Sequence, residues 1–326
     1  MREITIAKND SGQRLDRFLK KYMCNASLSL VYKAIRKDVK VNGKRAKEET
    51  LLNEGDVLQI YMTDQDIDKL TKKKRTAAPK RQFTIAYEDE NILVAAKPFG
   101  LLVHGDAAEK KDTLANQVVD YLIEKGDYVP RLEKSFVPSP VHRLDRNTTG
   151  LVVFGKTAAA LRILSASLAK DEGMTKFYNT IVCGELKREL HLKNKLLKDE
   201  KTNRVKVLPE SSEEGKYIET IARPVYSNGS YTLIQVELIT GRSHQIRAHM
   251  KHAGFPLIGD AKYGFSRANA EIKRRTGLST QLLHAGKLVF RAMEEPLEYL
   301  EGTEVTAPLP PGWSAIQKEI FGKEII

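Results

Sequence analysis

The sequence has almost no cysteine: Cys24 and Cys183 are the only two in 326 residues, and they lie far apart in unlike surroundings. They supply neither a disulfide framework nor a zinc ligand set, which fits a reducing cytoplasm. No stretch approaches the roughly 18 continuous apolar residues of a membrane span. The N-terminal MREITIAKND also lacks an apolar segment of signal-peptide length. A soluble, unexported chain with no membrane partner is expected. Cofactor signatures are missing too: there is no Walker phosphate loop, no GxGxxG between a strand and a helix, and no HExxH. Any chemistry must come from the side chains themselves, so no cofactor is expected.

Acidic residues are in deficit, with 42 Asp and Glu against 54 Lys and Arg and a formal net charge of +12. Such an excess favours a polyanionic partner, with nucleic acid first among them. Many soluble proteins are basic without binding nucleic acid, so the distribution of the charge has to decide. The chain is long enough for two domains, one of them small.

Residues 11–62 form one pattern. Leu15, Phe18, Leu19 and Tyr22 fall at helical spacing, ringed by Arg14, Arg17, Lys20 and Lys21. A second short helix carries Leu30, Val31, Ala34 and Ile35, with Lys33, Arg36 and Lys37 on its other positions. Alternating Val39-Lys40-Val41 runs into Asn42-Gly43, a hairpin signal, and a Gly55-Asp56 turn precedes a closing strand at Val57, Leu58, Ile60 and Tyr61. In SGQRLDRFLKKY, LVYKAIRKD, VKVNGKRA and EGDVLQI this order resembles an S4 domain, a small RNA-binding module. That resemblance implies RNA contacts from Arg14, Arg17, Lys33, Arg36 and Lys44. A generic small α/β domain with solvated Lys and Arg is the plain alternative.

Residues 66–82, DIDKLTKKKRTAAPKRQ, lack apolar periodicity and read as a basic linker. Three segments are therefore expected: an S4-like RNA-binding domain at 1–65, a linker at 66–82 and a catalytic domain at 83–326. In the last, strands are expected at Ile92–Ala96, Leu151–Phe154 and Tyr231–Val236, and helices at 113–125, 157–170 and 243–252. Without regular strand–helix alternation this is an α+β domain rather than a doubly wound one.

Three polar clusters interrupt that domain: KPFGLLVHG (97–105), HRLDRNTTG (142–150) and TGRSHQIRAHM (240–250). Asp145 sits between Arg143 and Arg146, just before the apolar run Leu151–Phe154. A carboxylate on a loop entering a buried strand can act as nucleophile or base if a cation offsets its desolvation. Arg247 could be that cation. On a helix over 243–252, Ser243, Arg247 and Met250 would share a face while His244, His249 and His252 would not converge, so no metal site is expected. Taken alone, Asp145 could also be a surface aspartate paired with Arg146.

The three clusters together resemble the RluA family of pseudouridine synthases, whose members carry KPxGLxVH, HRLDxxTSG and GRTHQIRxH segments in this order. The resemblance runs from about Tyr87 to the end, through the GxPxxGDxxYG-like stretch at Gly254–Gly264 and Leu283-His284-Ala285. It implies a synthase fold with a mixed, largely antiparallel sheet and a central cleft. The implied reaction needs no cofactor: the HRLD aspartate, Asp145, attacks the target nucleotide, the glycosidic bond breaks, and uracil reattaches through C5. It further implies that Tyr178 in KFYNTIVCG lies near the reacting ring as a base for the C5 proton. Arg247 would pair with Asp145, Ile246 would pack on the flipped base, and Arg143 would enter the RNA stack. His142 and His104 would support the cleft by hydrogen bonding, and Lys97-Pro98 would fix a turn.

The sequence departs from that pattern at Asn147 and Thr149, and RAMEEPLEYLEG replaces the usual HPxTG turn after Phe290. LKNKLLKDEKTNRVKV (192–207) is closer to the branch named for RluC, which points to structured large-subunit ribosomal RNA as partner and to a cytoplasmic protein. Nothing demands more than a monomer. The competing readings are a catalytically silent S4-bearing assembly factor, a synthase acting on transfer RNA, and a hydrolase. The last lacks a second carboxylate of the glycosidase kind.

Overall fold

The computed structural model describes residues 1–71, 80–106, 109, 111–130, 132–199 and 204–326. Residues 72–79 of the expected linker and 200–203 of the 192–207 stretch thus lie outside the described residues. The chain divides into two compact units. One comprises Met1–Arg81, Asn116–Ser139 and Gly155–Leu161; the other comprises Gln82–Ala115, Pro140–Phe154 and Arg162–Ile326.

In the first unit the helical spacing does what it predicts. Leu15, Phe18 and Leu19 on helix Leu15–Tyr22 are fully buried against Val31, Ala34 and Ile35 of helix Leu28–Asp38. Ser27 caps the second helix by accepting a hydrogen bond from the Leu30 amide at 3.2 Å. Strands Arg2–Thr5, Val57–Ile60, Val39–Val41 and Lys44–Arg45 form an antiparallel sheet in that order. Asn42 and Gly43 both take positive φ, as the tight hairpin between the last two strands requires.

One expectation is corrected here. Residues 66–71 are not linker but part of helix Asp64–Thr71, whose Ile67 is fully buried in the same core with Leu70 packed beside it. The stripe is only two residues wide, and the flanking charges hide it from a periodicity search. A second feature has no sequence signal. Asp10, at 0 % exposure, accepts hydrogen bonds from the backbone amides of Lys134 (2.9 Å), Ser135 (2.7 Å) and Phe136 (3.2 Å) and from the Ser135 hydroxyl. A buried carboxylate is tolerated only with such saturation by donors.

The second unit is built on a mixed, mostly antiparallel sheet. Its main strand order is Arg204–Leu208, Leu190–Asp199, Lys216–Ser227, Tyr231–Leu238, Met174–Cys183, Leu283–Phe290, Thr149–Gly155, Ile92–Lys97 and Thr84–Glu88. Thr149–Gly155 pairs parallel with Leu283–Phe290, and every one of its residues is buried. That explains its continuous apolar run, since a strand covered on both faces has no polar side to show. Each of Leu151, Val152, Val153 and Phe154 contributes about 1.5–3 kcal/mol by leaving water. Gly150, the second residue of this strand, takes φ 110°, and a Cβ there would stand 2.2 Å from the Ala285 carbonyl oxygen, so only glycine lets the loop carrying Asp145 join the sheet this closely.

Helices Leu114–Lys125 and Ala158–Ala169 fall where the pattern places them. The third expected helix starts two residues late, at Gln245, because His244 sits in the left-handed region at φ 55°. Among the described residues no helix is long and apolar enough to cross a membrane.

Candidate active site

Asp145 lies on the loop ahead of the buried strand and lines a cavity of about 260 Å³. Its position is set from below. Lys97, at 1 % exposure, donates to the carbonyls of Pro98 (3.0 Å), Leu101 (2.8 Å) and Arg146 (2.9 Å), so its ammonium ties the KPFG turn to the loop directly after Asp145. Burial pushes this lysine down to about 7, with the Asp145 carboxylate opposing. Three carbonyl acceptors take all three N–H donors of the charged ammonium, which offsets that desolvation.

Arg247 points from helix Gln245–His252 into the same cavity and bridges two carboxylates. Its Nη1 is 2.8 Å from Asp145 Oδ2, while Nε and Nη2 reach Asp260 at 2.7 and 2.9 Å. Asp260 is 1 % exposed and also accepts from the amides of Lys262 and Tyr263. Burial alone would raise its carboxyl, but Arg247 and the two amides hold it below the usual carboxylate range. The bidentate fork fixes the guanidinium plane, and the remaining arm aims at Asp145. The sequence names Asp260 only as part of a motif; its pairing with Arg247 is a product of the fold.

The side chains singled out in the catalytic clusters mostly converge. Asp145, Tyr178, Arg247, Ile246, Arg143 and His142 all line the cavity. Tyr178 is 6 % exposed, and burial first and the Asp145 carboxylate second push its phenol well above the ordinary value. Ile246 is 4 % exposed and Arg143 is exposed. His142 Nε2 accepts from the Val153 amide at 3.2 Å, and burial, helped by Lys176, pushes it down to about 3. It is a neutral imidazole holding its loop to the strand.

The pattern misses His244. Its Nδ1 is 3.0 Å from the Tyr263 hydroxyl and its Nε2 is 3.9 Å from Asp145 Oδ2. A non-glycine residue with positive φ beside the Asp145 carboxylate is backbone strain placed at the cavity, and nothing in Ser243-His244-Gln245 announces it. His249 turns the other way, fully buried between Thr220 and Asn194, so the histidines do not converge.

In the first unit Arg14, Arg17, Lys33, Arg36 and Lys44 are all exposed. Arg14 is paired with Asp16 and Arg36 with Glu48, leaving Arg17, Lys33 and Lys44 without a carboxylate partner among the described residues.

A mixed sheet whose cleft holds an aspartate, a tyrosine and a clamped arginine is the arrangement implied for a pseudouridine synthase. The comparisons with known proteins agree. The family described as RNA pseudouridylate synthase matches residues 91–252. Ribosomal large subunit pseudouridine synthase C of Vibrio vulnificus (strain CMCP6) is 34 % identical over 302 residues, covering 90 % of each chain. The protein of the same name from Escherichia coli (strain K12) is 33 % identical over 298 residues, 88 % of each. The solved structure of human RNA pseudouridylate synthase domain containing 4 matches with a TM-score of 0.56 at 20 % identity, over 72 % of this chain and 92 % of that one, a likeness of fold. The chain belongs to the RNA pseudouridine synthase family and is an isomerase acting on RNA. The family resemblance read from the three clusters is thereby borne out.

Proposed function

We propose that the protein isomerises uridines of large-subunit ribosomal RNA, as a monomeric cytoplasmic enzyme, with Asp145 as the essential catalytic residue. The observation that carries this reading is the Arg247 bridge, which presents one Asp145 oxygen at 2.8 Å inside a cavity also lined by Tyr178. The printed names of the relatives support the ribosomal substrate.

A uridine within folded RNA must be extruded to reach Asp145. Arg143, exposed at the cavity, is a planar cation able to stack where the base has left, and buried Ile246 offers an apolar surface to the extruded ring. Asp145 then bonds to the nucleotide, the glycosidic bond breaks, uracil turns, and C5 bonds to the sugar as Asp145 is released as the free carboxylate. Tyr178 is the group to relay the C5 proton. Burial first and the Asp145 carboxylate second keep its phenol protonated in the resting site, so it takes the C5 proton only as its own hydroxyl proton passes on, and the product's N1, which gains one proton as C5 loses one, is the group that ends with it. The N-terminal element order supports an S4-like module over residues 1–65, holding RNA through Arg17, Lys33 and Lys44.

The test is tritium release from large-subunit ribosomal RNA labelled at uridine C5, with intact protein and with Asp145→Asn. Release by the first and none by the second is expected. Release from transfer RNA alone overturns the substrate, and release by the variant overturns the role of Asp145.

A further inference from the structure

Three lysines are buried among the described residues: Lys97, Lys156 and Lys176. Lys97 has its three carbonyls, and Lys156 pairs with Asp127 at 2.6 Å. Lys176, 9 % exposed, has no hydrogen-bond acceptor and no carboxylate within 4.0 Å among the described residues, yet it lines the cavity that holds Asp145. It lies two residues before Tyr178 on strand Met174–Cys183, where the buried positions alternate, so the two side chains share a face roughly 6.6 Å apart along the strand. Its Nζ rests beside Gly241, 3.4 Å from where a Cβ would stand, and the missing side chain leaves the ammonium uncovered.

Charge accounting in the cavity points the same way. Its lining carries Arg143, Lys176, Arg242 and Arg247 against Asp145 and Asp171. Arg247 is shared by Asp145 at 2.8 Å and Asp260 at 2.7 Å, and Arg242 pairs with Asp171 at 3.3 Å. With Asp260 counted the balance is one positive charge in excess, and the two cations of the lining without a carboxylate in ion-pair reach among the described residues are Arg143 at the exposed edge and Lys176 inside. Burial lowers the Lys176 ammonium, Asp171 opposes from beyond ion-pair distance, and Arg242 adds to the lowering. A buried cation without a partner costs stability, and a uracil carbonyl could be met by a neutral donor. The unmatched charge fits an anion, and the anion that an RNA brings to this depth is a phosphodiester.

We infer that Lys176 is a substrate-binding residue whose ammonium receives a phosphodiester next to the target uridine, holding the extruded nucleotide while its glycosidic carbon faces Asp145. The inference rests on the proposed placement of the reacting uridine at Asp145. Sequence contacts are left to other residues, because every nucleotide carries this group.

The test is equilibrium binding of the shortest stem-loop that the intact protein converts, drawn from ribosomal or transfer RNA. A wrong ribosomal assignment then appears in the source of the stem-loop and a wrong Lys176 assignment in the binding. Lys176→Met should weaken the Kd on the order of tenfold. It should also reduce the slope of log K against log salt by about one phosphate contact. A neutral methylphosphonate at either the 5′ or the 3′ phosphate of the target uridine should weaken intact protein by the same factor and Lys176→Met by nothing further. The melting temperature of Lys176→Met should equal or exceed that of the intact protein. Additive losses at both phosphates, an unchanged salt slope, or a lowered melting temperature with unchanged Kd each overturn the assignment.

Discussion

Among the described residues each unit holds a carboxylate at 0–1 % exposure that gathers distant chain, Asp10 in one and Asp260 in the other, and the two are satisfied differently. Asp10 in the first unit is closed off by three backbone amides and a hydroxyl, all neutral. Asp260 in the second is held by two amides and by Arg247, which keeps one arm for Asp145. The first arrangement runs on only to Gln13, which donates to the Ser135 hydroxyl, whereas the second passes orientation onward to Asp145. The same chemistry, a desolvated carboxylate saturated with donors, anchors chain in one place and orients Asp145 in the other.

Arg247→Met should separate the two roles most sharply. Two carboxylates lose their shared cation, so stability in a denaturant titration should fall by about 3–5 kcal/mol. Single-turnover isomerisation should fall on the order of 10³-fold as Asp145 loses its orientation. Arg247→Lys should not restore the rate, because a point charge cannot replace a fork that meets two partners. A normal rate in the folded variant would reduce Arg247 to the kind of anchor Asp10 is.

Asp10→Ala strands three amides and a hydroxyl. It should cost about 3 kcal/mol in the same titration, with the single-turnover rate at saturating RNA unchanged. A slowed chemical step would mean that the first unit also relays geometry.

Acid should weaken the second unit first, because all seven histidines lie there. His249 is pushed down to about 4 by burial, from about 6.5 in an unfolded chain. The unfolded state therefore binds the extra proton between those values. The stability His249 contributes is fully present above about pH 6.5 and is lost as pH falls toward 4, up to about 3 kcal/mol. Trp313, the one tryptophan, lies in this unit and reports the change by fluorescence. His249→Gln should flatten that slope, and an unaltered slope would assign the acid sensitivity elsewhere.

Ser135→Ala removes one of four donors from Asp10 and should cost only about 1 kcal/mol. A loss as large as that of Asp10→Ala would show that the hydroxyl, not the amides, carries the anchor.

Local patterns made much of the fold legible. Helical spacing in 15–22 and 28–38, the Asn42-Gly43 turn and the run at 151–154 each depend on residues a few positions apart, and each forms close to its expected bounds. Helix Asp64–Thr71 was hidden because Ile67 and Leu70 make too narrow a stripe, and their burial depends on a core assembled from elsewhere. The cavity was legible as a set of residue types in three clusters. His244 and Lys176 were not, since a strained φ and a missing acceptor are properties of surroundings rather than of a residue and its neighbours in sequence.

By itself the sequence determined the family, the basic character, the local elements and the identity of Asp145, Tyr178 and Arg247 as residues to watch. Those follow from side-chain type and short-range spacing, which covalent order fixes directly. Tertiary structure alone decided that Arg247 is shared between Asp260 and Asp145, that Lys97 ties down the loop behind Asp145, and that Lys176 is buried unmatched. Each is a balance of desolvation against donors and acceptors brought from elsewhere in the chain, up to 102 residues apart for the Arg247–Asp145 contact. That balance exists only once the sheet has assembled and water has been excluded.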